Sequence, residues 1–158
     1  MTSTVDTAAQ PFTEDETRML AILADMIIPA SDEYGVPSAG DPAIVASILG
    51  DAARHRERLG KALSALDTMA RESQDAGFAD LAAGQRDGIV EAFRAAHTAD
   101  ADLIAALTAQ CYYRDDRVML SLGVALRPPH PLGYTVEQGD WSLLDPVRRR
   151  APLYRKAP

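Results

Sequence analysis

Residues 13–29 read TEDETRMLAILADMIIP, and this stretch decides the fold. Thr13 followed three residues later by Glu16 is a capping box, in which each side chain satisfies the other residue's free backbone N–H. Met19, Leu20, Ile22, Leu23, Met26 and Ile27 then recur at three- and four-residue intervals, which lays one apolar stripe along a helix. Pro29 lacks an N–H and disfavours helix at the residue before it, so the helix ends about Ile27.

The same grammar repeats downstream. After a turn-rich loop from Ala30 to Gly40 (ASDEYGVPSAG), Asp41-Pro42 supplies an N-cap and a proline in the first helical turn. Ile44, Val45, Ile48 and Leu49 form the buried side of that helix, and Gly50-Asp51 either interrupts or weakens it. Leu59, Leu63, Leu66 and Met69 or Ala70 carry a third stripe that stops at Gly77, and Phe78 with Leu81 reads as an anchored connector. A fourth helix runs from about Gln85 to His97 with Ile89, Val90 and Phe93 inward. A fifth starts about Asp100 and uses Leu103, Ile104, Leu107, Cys111 and Tyr112. The charged turn Arg114-Asp115-Asp116-Arg117 caps a short sixth helix with Val118, Met119 and Leu122, ended by Gly123.

No segment alternates with a period of two, and composition agrees with a helical chain. The 158 residues include twenty-eight Ala but only ten Gly and ten Pro, and Ala loses the least entropy on entering a helix. The expected fold is all-α: a compact bundle of five to six helices over residues 13–123, preceded by a flexible N-terminus (1–12). Residues 124–158 form an extended, Pro-rich tail.

That tail has a different character. Its 35 residues hold six of the ten prolines and carry six basic against three acidic side chains, whereas residues 1–123 carry ten basic and twenty acidic, a net −10. Arg127-Pro128-Pro129-His130-Pro131-Leu132-Gly133-Tyr134 reads as extended chain. Tyr134, Val136, Trp141, Leu143, Leu144, Val147 and Tyr154 are spaced as anchors, unlike the composition of a purely disordered segment. Two readings stand: the tail folds back on its own bundle, or it wraps a partner, and the two can hold for different halves.

Composition excludes several function classes. A formal charge of −7 repels phosphate backbones, which argues against a nucleic-acid partner. No run approaches the ~20 apolar residues that cross a bilayer, so no direct membrane insertion is expected. A single Cys forms no internal disulfide. The opening residues, MTSTVDTAAQPF, hold no basic residue, apolar run or twin-Arg pair, which reads as a cytoplasmic protein. The alternative is periplasmic, by export with a signal-bearing partner.

Catalytic constellations are missing from the pattern. His55, His97 and His130 have no carboxylate at ligand spacing, and no Glu-x-x-His occurs. His55 sits in Arg54-His55-Arg56-Glu57-Arg58, which reads as a solvated face; His97 suits a helix C-terminus; His130 is flanked by prolines. Cys111, in Gln110-Cys111-Tyr112-Tyr113, reads as a small core hydrophobe rather than a nucleophile. There is no phosphate loop, Gly-x-Ser-x-Gly or dinucleotide fingerprint. Arg148-Arg149-Arg150 reads as ion-pairing, with an acidic helix face or an acidic partner. The expectation is no catalytic residue, no metal site and no cofactor in this chain.

Four groups of residues, taken in order, resemble the gluconate 2-dehydrogenase subunit 3 family. The first is Phe12-Thr13-x-x-Glu16 leading into Leu20-Ala21-x-Leu23-Ala24-Asp25-Met26-Ile27-Ile28-Pro29-Ala30. The second is the Gly35 to Ala39 loop with the helix from Asp41, and the third is Gly77-Phe78-x-x-Leu81 with Gln85. The fourth joins Tyr112-Tyr113-Arg114-Asp115-Asp116-Arg117-Val118 to Arg127-Pro128-Pro129-x-Pro131-x-Gly133-Tyr134 and to Trp141-Ser142-Leu143-Leu144-Asp145-Pro146-Val147. The resemblance spans residues 12–155 and looks like a short-form branch. It departs from exported members at the twin-Arg leader and lacks the Gly-Gly-Asn segment of many members.

The resemblance implies a noncatalytic accessory subunit of a flavin-dependent dehydrogenase complex, a hetero-oligomer. Its large partner, of the glucose–methanol–choline oxidoreductase type, binds FAD and oxidises a sugar, sugar acid or other alcohol. The small subunit supports that partner's folding and stability. The expected partner contacts are Tyr113, Pro129, Pro131, Tyr134, Trp141, Leu144 and Tyr154. The alternatives are a stand-alone helical interaction module for another partner, or a small-ligand-binding enzyme.

Overall fold

The computed structural model describes residues 11–126, 133 and 137–151. Among the described residues, seven α-helices follow in order: α1 (Glu14–Ile27), α2 (Pro42–Ala52), α3 (Arg56–Gln74), α4 (Ala83–Ala96), α5 (Thr98–Tyr112), α6 (Asp116–Ser121) and α7 (Asp145–Arg148). Among the described residues there is no strand, only an isolated antiparallel bridge between Ser31 and Val36. The chain divides into two units, residues 1–126 and 127–158.

The first unit, the body, is a bundle of six α-helices among the described residues, within the five to six that the periodicity predicts. Thr13 and Glu16 close the capping box at the start of α1, with Thr13 N–H donating to Glu16 Oε2 at 2.8 Å and Glu16 N–H donating to Thr13 Oγ1 at 3.1 Å. Asp41 caps α2 by accepting from the Ala43 N–H at 2.9 Å, ahead of Pro42. Gly50 lies inside α2, which weakens but does not interrupt it; a 3₁₀ turn at Ala53–His55 then redirects the chain into α3. α4 starts at Ala82, which has no side-chain acceptor to offer, so only Gln85 reaches back, its Oε1 accepting from the Ala82 N–H at 3.1 Å.

One core joins these helices. α5 packs against α1, α2, α3 and α4. It places Ile104, Leu107, Thr108, Cys111 and Tyr112 in the interior. Leu20 and Leu23 of α1, Ile44 and Ile48 of α2, Leu59, Leu63, Leu66 and Ala70 of α3, and Ile89 and Phe93 of α4 meet them there. Ala70, not Met69, holds the last inward position of α3, and Val90 and Leu103 are only half-buried. Phe78, on a 3₁₀ turn between α3 and α4, is fully buried, a burial worth roughly 1.5–3 kcal/mol. Gly40 lets the start of α2 approach α1, because a Cβ there would meet Ala21 O and Asp25 Cβ at 2.9 Å.

The charged run Arg54 to Arg58 is not simply a solvated face. Arg56 donates to Glu16 Oε2 at 2.8 Å, with both side chains largely shielded, and its guanidinium lies 4.5 Å from the Phe12 ring centroid. Arg58 pairs with Asp100 at 2.6 Å. These ties lock α3 to α1 and α5 across the bundle.

In the second unit, residues 141–148 are helical rather than extended. Asp140 Oδ1 accepts from the Ser142 N–H at 3.0 Å and from the Ser142 hydroxyl at 2.6 Å, which starts a 3₁₀ turn at Trp141–Leu144 that runs on into α7. The polyproline reading of residues 127–134 lies outside the described residues except for Gly133.

Candidate interaction surface

The residues from Tyr112 to Leu126 form a platform pinned at several points. The Tyr112 hydroxyl donates to Pro37 O at 3.2 Å, and burial raises its pKa. Arg114 pairs with Asp51 of α2 at 3.0 Å. Arg117 contacts the N-caps of two helices: its guanidinium donates to both oxygens of Asp41 and, from Nε and Nη2, to Asp115 at 3.0 and 2.9 Å. Asp115 itself caps α6 through the Arg117 N–H at 2.9 Å. The Arg117 hydrogen bonds hold Asp41 at a pKa of about 2 and lower that of Asp115.

α6 ends in a Schellman motif. Gly123 adopts a left-handed φ of 72°, the Val124 N–H donates to Met119 O at 2.9 Å, and the Gly123 N–H donates to Leu120 O at 3.0 Å. Val118 is buried, but Leu122, which the sequence reading grouped with it on the sixth helix, is exposed. With only six residues, α6 turns one face to the core, and Leu122 falls at the cap beyond it.

Exposed apolar side chains gather at this end of the chain. Of eleven large hydrophobic residues exposed among the described residues, nine lie from Tyr113 to Val147: Tyr113, Leu120, Leu122, Val124 and Leu126 in the body, and Trp141, Leu143, Leu144 and Val147 in the second unit. Tyr113 packs edge-to-face on Tyr112 with ring centroids 5.2 Å apart, yet stays 57% exposed. The buried tyrosine positions the exposed one. Trp141 is 61% and Leu143 73% exposed. Exposed large apolar side chains within each unit are the kind of surface that marks interaction sites.

Of the seven expected contact residues, Tyr113, Trp141 and Leu144 are described and all are exposed. Pro129, Pro131, Tyr134 and Tyr154 lie outside the described residues. Leu120, Leu122, Val124 and Leu126 are also exposed, although the sequence reading did not put them among the expected contacts. Leu122, Val124 and Leu126 flank or follow the Gly123 turn, without helical periodicity to bury them.

Among the described residues, Cys111, His97 and His55 lie apart from one another in separate local environments. Cys111 is buried, and burial, followed by the nearby Asp51 carboxylate, pushes its thiol pKa up. Its Sγ lies 3.7 Å from Asp51 Oδ2 and 3.5 Å from the Arg114 guanidinium. His97 stacks on Phe93 with centroids 5.1 Å apart, and its Nδ1 is 4.0 Å from Asp100. His55 accepts from Arg54 at 3.2 Å; His130 lies outside the described residues. Among the described residues, no group of three or more His, Cys, Asp or Glu side chains is placed to hold a metal, and no helix is long and apolar enough to cross a membrane. An apolar groove of about 370 Å³ lies between α1, α4 and α5, lined by Leu23, Ile27, Val90, Phe93 and Ile104 with Arg94 and Asp102. It gathers no convergent set of polar groups.

Residues 14–126 match the family model described as gluconate 2-dehydrogenase subunit 3, and the chain belongs to that family. The match ends at Leu126, where the body also ends. Comparison with curated proteins and with solved structures returns no match.

Proposed function

From membership in the gluconate 2-dehydrogenase subunit 3 family, we propose that this chain is the noncatalytic small subunit of a flavin-dependent dehydrogenase complex. Its large partner carries FAD and oxidises a sugar, sugar acid or other alcohol. This chain binds that partner and stabilises its folded form, and the pair works in the cytoplasm unless a signal-bearing partner exports both.

One observation carries the reading beyond the family: the concentration of exposed apolar side chains from Tyr113 to Val147. Leaving such side chains in water forfeits the stabilisation their burial would give, roughly 25 cal/mol per Å². A partner surface recovers it. In the body, Tyr112, Arg114 and Arg117 tie the segment that carries Tyr113, Leu120 and Leu122, so that part of the surface is organised before binding and costs less ordering entropy when it docks.

Affinity purification of the tagged chain from its source cells tests this. The expected eluate carries a flavin absorbance spectrum and a companion chain several times heavier, and it reduces a dye acceptor when a sugar or alcohol is supplied. A colourless chain eluting alone overturns the reading.

A further inference from the structure

We propose that residues 140–150 are a preformed docking turn that seats in an apolar groove rimmed by carboxylates on the large partner subunit; the proposal rests on the subunit reading above. The turn is closed by contacts within the segment itself. Asp140 caps it through Ser142, the Leu143 N–H donates to Asp140 O at 3.3 Å, the Arg149 N–H donates to Asp145 O at 3.1 Å, and Arg148 pairs with Asp145 at 3.3 Å. Its polar needs are met locally, while its apolar side chains are not. Trp141, Leu143, Leu144 and Val147 are all exposed. In a 3₁₀ turn, positions three apart eclipse, so Trp141 and Leu144 share a face.

Charge specifies the rim of the groove. Arg148, Arg149 and Arg150 follow the apolar row directly, and Arg149 and Arg150 have no ion pair among the described residues. Apolar anchors ending in unpaired guanidinium groups fit an apolar slot bordered by Asp and Glu, which guanidinium groups bind through paired hydrogen bonds. An anionic bilayer offers the same sign of charge, but residues 1–123 carry a net −10 and are repelled by it.

The test measures affinity of the full chain for the isolated flavin-bearing large subunit, at low and high salt. Replacing Arg148, Arg149 and Arg150 together by Gln should raise Kd at least about tenfold and flatten its salt dependence. Trp141→Ala should raise Kd at least about tenfold and keep the salt dependence. Circular dichroism of both variants checks that the body stays folded. Kd values within twofold of the parent for both variants overturn the docking turn while leaving the subunit reading intact. If no flavin-bearing chain binds the parent at all, the subunit reading fails and takes the docking turn with it. Co-sedimentation of the parent with phosphatidylglycerol vesicles, lost in the Gln variant while subunit affinity is unchanged, assigns the turn to lipid and also overturns the proposal.

Discussion

The guanidinium of Arg117 meets the carboxylate of Asp41 fork to fork, Nη1 donating to Oδ2 at 3.0 Å and Nη2 to Oδ1 at 2.9 Å. The two residues are 76 positions apart, and each sits at a helix start: Asp41 caps α2, while Arg117 lies in the first turn of α6. This contact docks the short α6, which has little buried surface of its own, onto the bundle.

Asp41→Ala should therefore cost about 1–2 kcal/mol, chiefly through loss of the α2 cap. Urea unfolding followed by circular dichroism measures it. Arg117→Met keeps the cap but removes the fork, so it should loosen α6 while leaving α2 protected, a difference that amide hydrogen exchange resolves. Equal loss of protection in both helices would contradict this division of roles.

The same contact has a pH signature. Asp41 has a folded-state pKa of about 2, below its ordinary 3.8, so its contribution to stability is fully present above pH 4. It is lost as pH falls from about 4 towards 2. Asp41→Asn should be less stable than the parent at neutral pH and lose less stability across that acid window. Parallel acid titrations of the urea midpoint test the sign.

Gly123→Ala should destabilise the body by about 1 kcal/mol. The φ of 72° is left-handed, where a Cβ is disfavoured, although no atom of the described residues lies within 4 Å to clash with it. Gly123→Asn, which tolerates that region better, should recover part of the loss in thermal melts.

Thr108 is fully buried on α5, and its hydroxyl has no hydrogen-bond partner among the described residues. Thr108→Val keeps the branched shape and removes an unsatisfied polar atom, so it should stabilise the body by about 1 kcal/mol. Calorimetry should show a Tm higher by a few degrees. A lower Tm would mean that the hydroxyl is satisfied in solution.

Cys111 should resist thiol reagents in the folded protein. Its burial and raised pKa both oppose thiolate formation, so labelling at mildly alkaline pH should be about a hundredfold slower than in denaturant. Fast labelling of the native chain would place the thiol at the surface.

What the sequence disclosed was set by range. Thr13 with Glu16, and Asp41 with Pro42, signal helix starts through contacts three residues apart or fewer, so their caps are visible in a single window. Phe78 and Leu81 stood out because large apolar residues beside a glycine have to be held somewhere. The pairs Arg56–Glu16, Arg58–Asp100 and Arg117–Asp41 span 40, 42 and 76 residues. No local pattern reveals which carboxylate an arginine will reach, which is why the stretch around His55 read as solvated. Leu122 failed for another reason: on a helix of six residues, a one-residue shift at the cap exchanges interior for solvent. Trp141 and Leu144 stood out in the sequence as large apolar residues in a Pro-rich segment, but the turn that carries them depends on Asp140 meeting Ser142.

α4 begins at a residue with no capping oxygen and carries Gly84 and Gly88, beside each of which lies open space. Each glycine costs a helix interior up to about 1 kcal/mol relative to alanine, whereas α3, with nineteen residues, carries one. The bundle therefore does not melt as a uniform block. Its backbone amides in α4 should exchange with solvent earlier than those of α3, and filling both positions with alanine should bring the two helices onto one clock.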